Sequence, residues 1–206
     1  MKEISQYNRE NLMFKASPNK VLYDGFFKIE EYVFEHALFA GGVSEPIRRE
    51  ILERGHAVAV LPYDPVSDEI LLIEQIRIGA LATKDSPWLL ECIAGMAEGC
   101  EDLEAVARKE AQEEAGLDLT ELHYMCSYLS SPGGTTERLY LYLAQVNLRD
   151  YQGGTFGLPE EGEDIKTHIM PFDEAMCRLE SEEIDNAATV ISLQWLALNK
   201  PKLSFK

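Results

Sequence analysis

An amphipathic helix with acid in its apolar stripe constrains this chain more than any other feature. Between Gly95 and Leu117, Asp102 is placed to cap a helix, Glu104 adds negative charge to the first turn, and Gly116 can supply the left-handed residue that ends it. At about 100° per residue, Leu103, Val106, Ala107 and Ala111 form the apolar stripe, while Glu104, Arg108 and Gln112 point the other way. Glu110 and Glu114 fall in the middle of that stripe, and Glu113 sits at its edge beside Val106. Two carboxylates at i and i+4 repel by a few tenths of a kcal/mol on an exposed helix, and turning them inward adds several kcal/mol of desolvation each. A solvated charged face, the ordinary reading of a Glu-Glu pair, fails because the solvent-facing positions are already taken. Something cationic must face the acids. It is either buried arginines or hard divalent cations, which take oxygen ligands and bridge to substrate phosphates.

Composition narrows the partners. The 206 residues suffice for one sizeable domain or one domain plus a small appendage, and 46% hydrophobic residues support a real core. A formal net charge of -17 argues against unaided binding of nucleic acid or an anionic membrane, so a phosphorylated substrate would need metal and a few placed arginines. Cys92, Cys100, Cys126 and Cys177 show no metal-ligand spacing and imply no disulfide framework; they are expected to be reduced, mostly buried thiols. The four histidines lack the spacing of zinc ligands. Residues 1–10 contain no apolar signal region, and no apolar run is long enough to span a bilayer, so a soluble cytoplasmic protein is expected.

Along the chain, Val21 to Phe39 alternates apolar and polar through Gly25, turns at Gly41-Gly42, and leads to a candidate strand from Ile47 to Leu52: an antiparallel sheet of its own. His56 to Leu61 reads as a buried strand, Pro62 to Asp68 as a turn, Ile70 to Arg77 as a second strand ending in a cation, and Leu89 to Ile93 as a short strand entering a loop at Gly95. Tyr124 to Leu129 and Arg138 to Val146 are strands around a Gly- and Pro-rich turn, Ser130 to Thr136. The acidic, glycine-punctuated segment from Tyr151 to Asp164 reads as a mobile solvated loop. Ile165 to Met170 is a strand, Phe172 to Leu179 a short helix, and Asp185 to Leu198 a terminal helix stopped before Pro201. The pattern predicts a central mixed sheet covered by helices and preceded by a small antiparallel sheet.

The motif helix resembles the Nudix box, whose pattern is G-x5-E-x7-R-E-U-x-E-E-x-G-U with U aliphatic. Gly95, Glu101, Glu110, Glu113, Glu114, Gly116 and Leu117 match; Lys109 stands in place of the arginine, and Ala111 in place of the larger aliphatic residue. The likeness extends from about Gly25 to Leu198 and resembles the ADP-ribose diphosphatase branch, through Gly55 to Pro65, Ile73 to Arg77, Ser131 to Gly134 and Ile184 to Ala188. It implies an α/β fold, the Nudix α/β/α sandwich, with residues 1–54 as an N-terminal antiparallel sheet for dimerisation and 55–206 as the hydrolase domain.

By position, the resemblance implies metal ligands at the backbone carbonyl of Ala94 and at Glu110, Glu114 and Glu163, with Glu161 as the general base. It places an aromatic pair against adenine at Phe26 and Phe27, and arginines on or near the phosphates at Arg49, Arg54 and Arg77. Met96, Ser131, Pro132, Gly133 and Glu137 take the remaining substrate contacts. The implied reaction is Mg²⁺-dependent cleavage of ADP-ribose to AMP and ribose 5-phosphate, with Mn²⁺ as the alternative ion, in a homodimer that exchanges its N-terminal sheet. The alternative substrate is another nucleoside diphosphate sugar such as GDP-mannose; a further alternative is a catalytically weak nucleotide-sugar sensor, motivated by Lys109.

Overall fold

The structure is a computed structural model that describes residues 14–17, 20–97 and 102–203. Glu101, Cys100 and residues 1–10 lie outside the described residues. By contacts the chain divides into two units, residues 1–55 with 129–137, and residues 56–128 with 138–206.

The first unit is a four-stranded sheet of β1 (Phe14–Ala16), β2 (Lys20–Asp24), β3 (Lys28–His36) and β4 (Ile47–Glu53). All three neighbours pair antiparallel with the long β3: β1 at Phe14↔His36, β2 at Lys20↔Glu31, and β4 from Lys28↔Glu53 to Phe34↔Ile47. The alternation of Val21 to Phe39 thus becomes two strands broken at Gly25, and the Gly41-Gly42 turn adopts positive φ at both residues. The Ser130 to Thr136 turn is more than a connector. Leu52 donates its N–H to the Gly134 carbonyl at 2.8 Å, and the Thr135 hydroxyl donates to the Leu52 carbonyl at 2.9 Å. That turn is a lateral extension of β4.

The second unit is a mixed eight-stranded sheet ordered β11 (Thr155–Phe156), β12 (Ile165–Pro171), β6 (Glu69–Ile76), β5 (His56–Asp64), β10 (Arg138–Gln145), β9 (Glu121–Leu129). β5 and β10 run parallel, and β5 and β6 pair only at Tyr63↔Ile70 and Asp64↔Glu69 before they splay. The opening is filled by β7 (Trp88–Glu91), bonded to β6, and β8 (Ile93–Ala97), bonded to β5. Asp64 fixes the closed end by accepting backbone N–H groups from Val66, Ser67 and Leu148. Burial pulls its carboxyl upward, but those N–H donors outweigh burial and hold it below the ordinary carboxylate value.

Strict alternation along the central strands makes two cores. Val58, Val60, Leu71, Ile73 and Ile93 face α1 (Leu103–Ala115), packing on Val106, Ala107, Ala111 and Ala115. Ala59, Leu61, Tyr63, Ile70 and Leu72 face α2 (Phe172–Glu180) and α3 (Ala187–Asn199). The fold is an α/β/α sandwich, as expected. Two local expectations fail. Pro62 lies inside β5, not in a turn, because it falls where the β8 ladder has ended at Val60↔Ile93 and the β6 ladder has not begun, so that edge asks nothing of its missing N–H. Gly95 lies inside β8, paired with Val58, and not in a loop. Among the described cysteines, Cys92 is buried, Cys126 half-buried and Cys177 exposed.

Candidate active site

The motif helix forms as its ends dictate. The Asp102 side chain accepts the Glu104 N–H at 3.0 Å, and Gly116 closes the helix at φ 61° with its N–H on the Gln112 carbonyl at 3.0 Å. The acids turn inward. Glu114 is 2% exposed, and its Oε2 accepts the Ala94 N–H at 3.0 Å. Burial, and then the charges of Glu110 and Glu163, push the Glu114 carboxyl up to about 8, against the Ala94 N–H and the charge of Arg77. The Glu110 carboxyl is also raised, first by burial and further by Glu113 and Glu163, with the adjacent ammonium of Lys109 opposing. Lys109 sits 3.0 Å from Glu113 Oε2 and 3.6 Å from Glu110 Oε1.

Gly95 makes this approach feasible. A methyl group there would overlap the Cδ and Oε1 of Glu110, so the strand next to the helix must lack a side chain at that point. Strand alternation turns Gly95 toward α1 together with Ile93 and Ala97; Met96 lies on the other face with Ala94 and is not brought to the carboxylates. Arg77, at the end of β6, is anchored by its N–H on the Pro87 carbonyl at 2.7 Å and by its Nε on Glu91 Oε2 at 2.8 Å.

The acidic segment, read from composition as a mobile solvated loop, makes specific hydrogen bonds to its neighbours. Gly157 donates to the Glu113 carbonyl at 3.1 Å, the Tyr151 hydroxyl to the Ala115 carbonyl at 2.7 Å, and Gly154 to the Thr167 hydroxyl at 3.0 Å. Phe156 lies so close to Gly116 that a methyl group on that glycine would press into its ring. The segment is therefore tied to α1 and β12. Residues Pro159–Glu161 form a 3-10 turn that Gly162 ends at φ 73°, so Glu161 and Glu163 are not two positions of one extended strand. Glu163 is half-buried with Oε2 on the Leu158 N–H at 3.1 Å, and its charge reaches both Glu110 and Glu114. Glu161 is exposed. Among the described residues, no three His, Cys, Asp or Glu close into a metal-binding group.

The first unit carries its own constellation. The Phe26 and Phe27 rings meet edge-on at 4.8 Å, and Phe26 is 89% exposed. The Arg54 guanidinium lies 5.5 Å over the Phe27 ring, and its Nε is 3.2 Å from Glu137 Oε1, a buried carboxylate, in a pairing too bent to count as a hydrogen bond. Ser131 accepts N–H groups from Gly134 and Thr135 at 2.9 Å each, which curls Pro132 and Gly133 around the turn. Arg49 stands apart from this group: it pairs across the ladder with Tyr32, and its Nη1 donates to the Arg48 carbonyl at 2.7 Å. Of the expected site residues, Phe26, Phe27, Arg49, Arg54, Ser131, Pro132, Gly133 and Glu137 thus belong to the first unit. Arg77, Ala94, Met96, Glu110, Glu114, Glu161 and Glu163 belong to the second. Sequence reasoning missed Glu91, which grips Arg77, and Gln75, which holds Glu91; the available signal was an acid inside the apolar run from Trp88 to Ile93.

Comparison with known proteins identifies the family. The NUDIX domain model matches residues 53–194. An ADP-ribose pyrophosphatase of Escherichia coli is 50% identical over 184 residues, 89% of this chain and 88% of the relative. One from Haemophilus influenzae is 42% identical over 206 residues, covering 98% and 94%. A GDP-mannose pyrophosphatase of Pectobacterium atrosepticum is 34% identical over 178 residues, covering 85% and 89%. A solved ADP compounds hydrolase superposes with a TM-score of 0.69 at 18% identity over 92% of this chain and 95% of its own, which speaks to the fold alone. The chain belongs to the NUDIX family of hydrolases.

Proposed function

We propose that this chain hydrolyses the diphosphate bond of ADP-ribose to AMP and ribose 5-phosphate with the help of Mg²⁺. The observation that carries the reading is the mutual repulsion of Glu110, Glu114 and Glu163, with Glu114 buried and its carboxyl raised to about 8. A buried carboxyl of this kind is either kept protonated or offset by a cation, and three acids converging on one point favour the cation. The donor set fits a hard divalent ion: all-oxygen, carboxylate-rich, and with Glu114 Oε1 and Glu163 Oε1 accepting no hydrogen bond among the described residues. Glu110, Glu114, Glu163 and the Ala94 carbonyl would hold it. When bound, such an ion neutralises phosphate charge and makes phosphorus a better target for water.

The chain's own residues do the rest. Glu161 takes the proton of the attacking water as the bridging P–O bond breaks. Arg77 holds phosphate oxygens through its terminal nitrogens. Phe26 and Phe27 offer aromatic faces to adenine, and Arg54, fixed over Phe27 and beside Glu137, adds positive charge to the nucleotide's surroundings. Arg49, Met96, Ser131, Pro132 and Gly133 complete the proposed contacts. ADP-ribose is favoured over GDP-mannose because the relatives named for it are more similar, at 50% and 42% against 34%.

The working unit is proposed to be a cytoplasmic homodimer that exchanges the sheet of residues 1–54. Its support is β2, exposed along its whole length, with Val21, Leu22 and Tyr23 uncovered. Light scattering that returns the mass of one chain would exclude the dimer. Among the described residues, no helix is long and apolar enough to cross a membrane.

The deciding experiment is incubation with ADP-ribose or GDP-mannose in Mg²⁺, with products resolved chromatographically. AMP and ribose 5-phosphate from ADP-ribose are expected at the higher kcat/KM. Faster turnover of GDP-mannose would reassign the substrate, and turnover of neither would leave a sensor.

A further inference from the structure

Glu91 adds a further carboxylate to a unit already crowded with acid, at an arginine whose charge reaches Glu114. It is the last residue of β7, opposite Ile73 of β6, and its side chain is 14% exposed. The same oxygen, Oε2, accepts from Arg77 Nε at 2.8 Å and from Gln75 Nε2 at 3.3 Å. Gln75 is itself buried and lies two residues from Ile73 on the same strand face, so the amide pins the carboxylate from inside the sheet. The carboxylate in turn pins the guanidinium at the strand end. An electrostatic cost accompanies this arrangement, because an added negative charge weakens any site for a diphosphate. A purely structural brace could be made more cheaply with an uncharged side chain.

The geometry explains the charge. A guanidinium is a rigid planar fork, and a grip on Nε fixes its plane while leaving Nη1 and Nη2 at the far edge. The Arg77 side chain remains 46% exposed with its Nε engaged, and its backbone N–H is fixed on the Pro87 carbonyl. We propose that Glu91, held by Gln75, is a positioning residue that aims the terminal nitrogens of Arg77 at the substrate diphosphate. It touches no reacting atom. This rests on the reading above that Arg77 holds phosphate oxygens.

A double-mutant cycle tests it, with kcat, KM for ADP-ribose, Mg²⁺ dependence and Tm measured on the full chain for Glu91→Gln, Arg77→Ala and the double variant. Glu91→Gln keeps the side-chain volume and removes the charge that orients the fork. It is expected to raise KM about tenfold, since misplacing a binding group by an ångström can cost up to about a hundredfold. The Mg²⁺ midpoint and Tm should stay put. In the Arg77→Ala background the same change should have less than about a twofold effect, because the group it positions is gone. Equal losses in both backgrounds would overturn the inference by showing that Glu91 acts on the fold or the metal, and so would an unchanged KM in the single variant. Where Arg77→Ala alone leaves KM and kcat unaltered, the phosphate role of Arg77 fails and the inference falls with it; where Arg77→Ala is impaired and Glu91→Gln is not, only the inference fails. If Glu91→Gln does not fold, Gln75→Met reads the same brace, with a KM increase again expected only when Arg77 is present.

Discussion

Gly95→Ala is expected to abolish most activity while leaving the fold intact. The added methyl group would overlap the Glu110 carboxyl, and bonded neighbours apart, carbon atoms settle at about 3.5–4.0 Å, so the carboxyl must retreat by more than about 1 Å. The obstacle is the end of a flexible side chain and not backbone, so the strand need not give way. Gly95 also lies in a strand away from the left-handed region, where alanine's lower unfolded-state entropy favours folding by up to about 1 kcal/mol. A displacement of 1 Å in a group that orders a reaction costs on the order of a hundredfold. The assay is kcat/KM for ADP-ribose over a Mg²⁺ titration, alongside Tm, with Gly79→Ala as the control because a methyl group at Gly79 meets nothing within 4 Å. The expected result is a fall of about a hundredfold, a higher Mg²⁺ requirement, and a Tm within a few degrees of the parent. Activity within threefold of the parent at unchanged Mg²⁺ dependence would refute the placement of Glu110, and a collapse in Tm would show that the strand, not the side chain, yields.

Glu161→Gln should lower kcat by about 10²–10⁴ at near-constant KM, whereas Glu163→Gln should shift the Mg²⁺ dependence to higher concentration. Near-parent kcat in Glu161→Gln at saturating ADP-ribose and Mg²⁺ would move the base to Glu113 or Glu160. Lys109→Arg should preserve or raise kcat, since a planar fork can hold both Glu110 and Glu113 where the ammonium makes one contact at 3.0 Å and another at 3.6 Å; a large loss in the folded variant would give the lysine a role of its own. In EDTA, Glu114→Gln should stabilise the protein increasingly as pH rises from about 4.5 to about 8, by on the order of 4 kcal/mol at the upper end. The sign follows from a folded-state carboxyl raised above its ordinary value: its stabilising protonated form is present below 4.5 and lost as pH climbs through 8. A pH-independent difference in denaturant unfolding would contradict the assignment.

The motif helix was legible because every signal in it is local. Caps one residue outside each end and a 3.6-residue stripe suffice to fix its limits and to turn Glu110 and Glu114 inward. The central strands were legible for the same reason, since alternation alone sorts Val58 and Val60 from Ala59 and Leu61. Features that depend on which strand lies beside which were hidden. Pro62 looks like a turn until the gap between two ladders is known, and Gly95 looks like a loop until Glu110 is found against it. The glycine-punctuated acidic segment reads in sequence as a mobile solvated loop. Yet Gly154 and Gly157 donate hydrogen bonds to Thr167 and α1, and a methyl group added at Gly153 or Gly154 would meet Thr167 or Phe156. Glu91 was invisible as part of the site because its partners, Gln75 and Arg77, are sixteen and fourteen residues away and meet it only through the β6–β7 register.

The position of the cations explains why folding and metal binding should be coupled. Lys109 stands on the outer side of the acids, with its side chain 61% exposed and its contacts on Glu113 and Glu110. Arg77 is drawn back by Glu91. Burial, and then the charges of Glu110 and Glu163, raise the carboxyl of Glu114, the most buried of these acids, and one backbone N–H with the residual field of Arg77 does not offset them. Had the fold placed either cation directly on Glu114, the site would be satisfied without a ligand and would have no reason to take one. The uncompensated carboxylate lowers the stability of the metal-free chain, and a divalent ion that binds only the folded state returns that free energy in proportion to its occupancy. Raising Mg²⁺ should accordingly raise the Tm of the parent protein at pH 8, and should do so far less in Glu114→Gln, where the repulsion is already relieved and a ligand charge is missing.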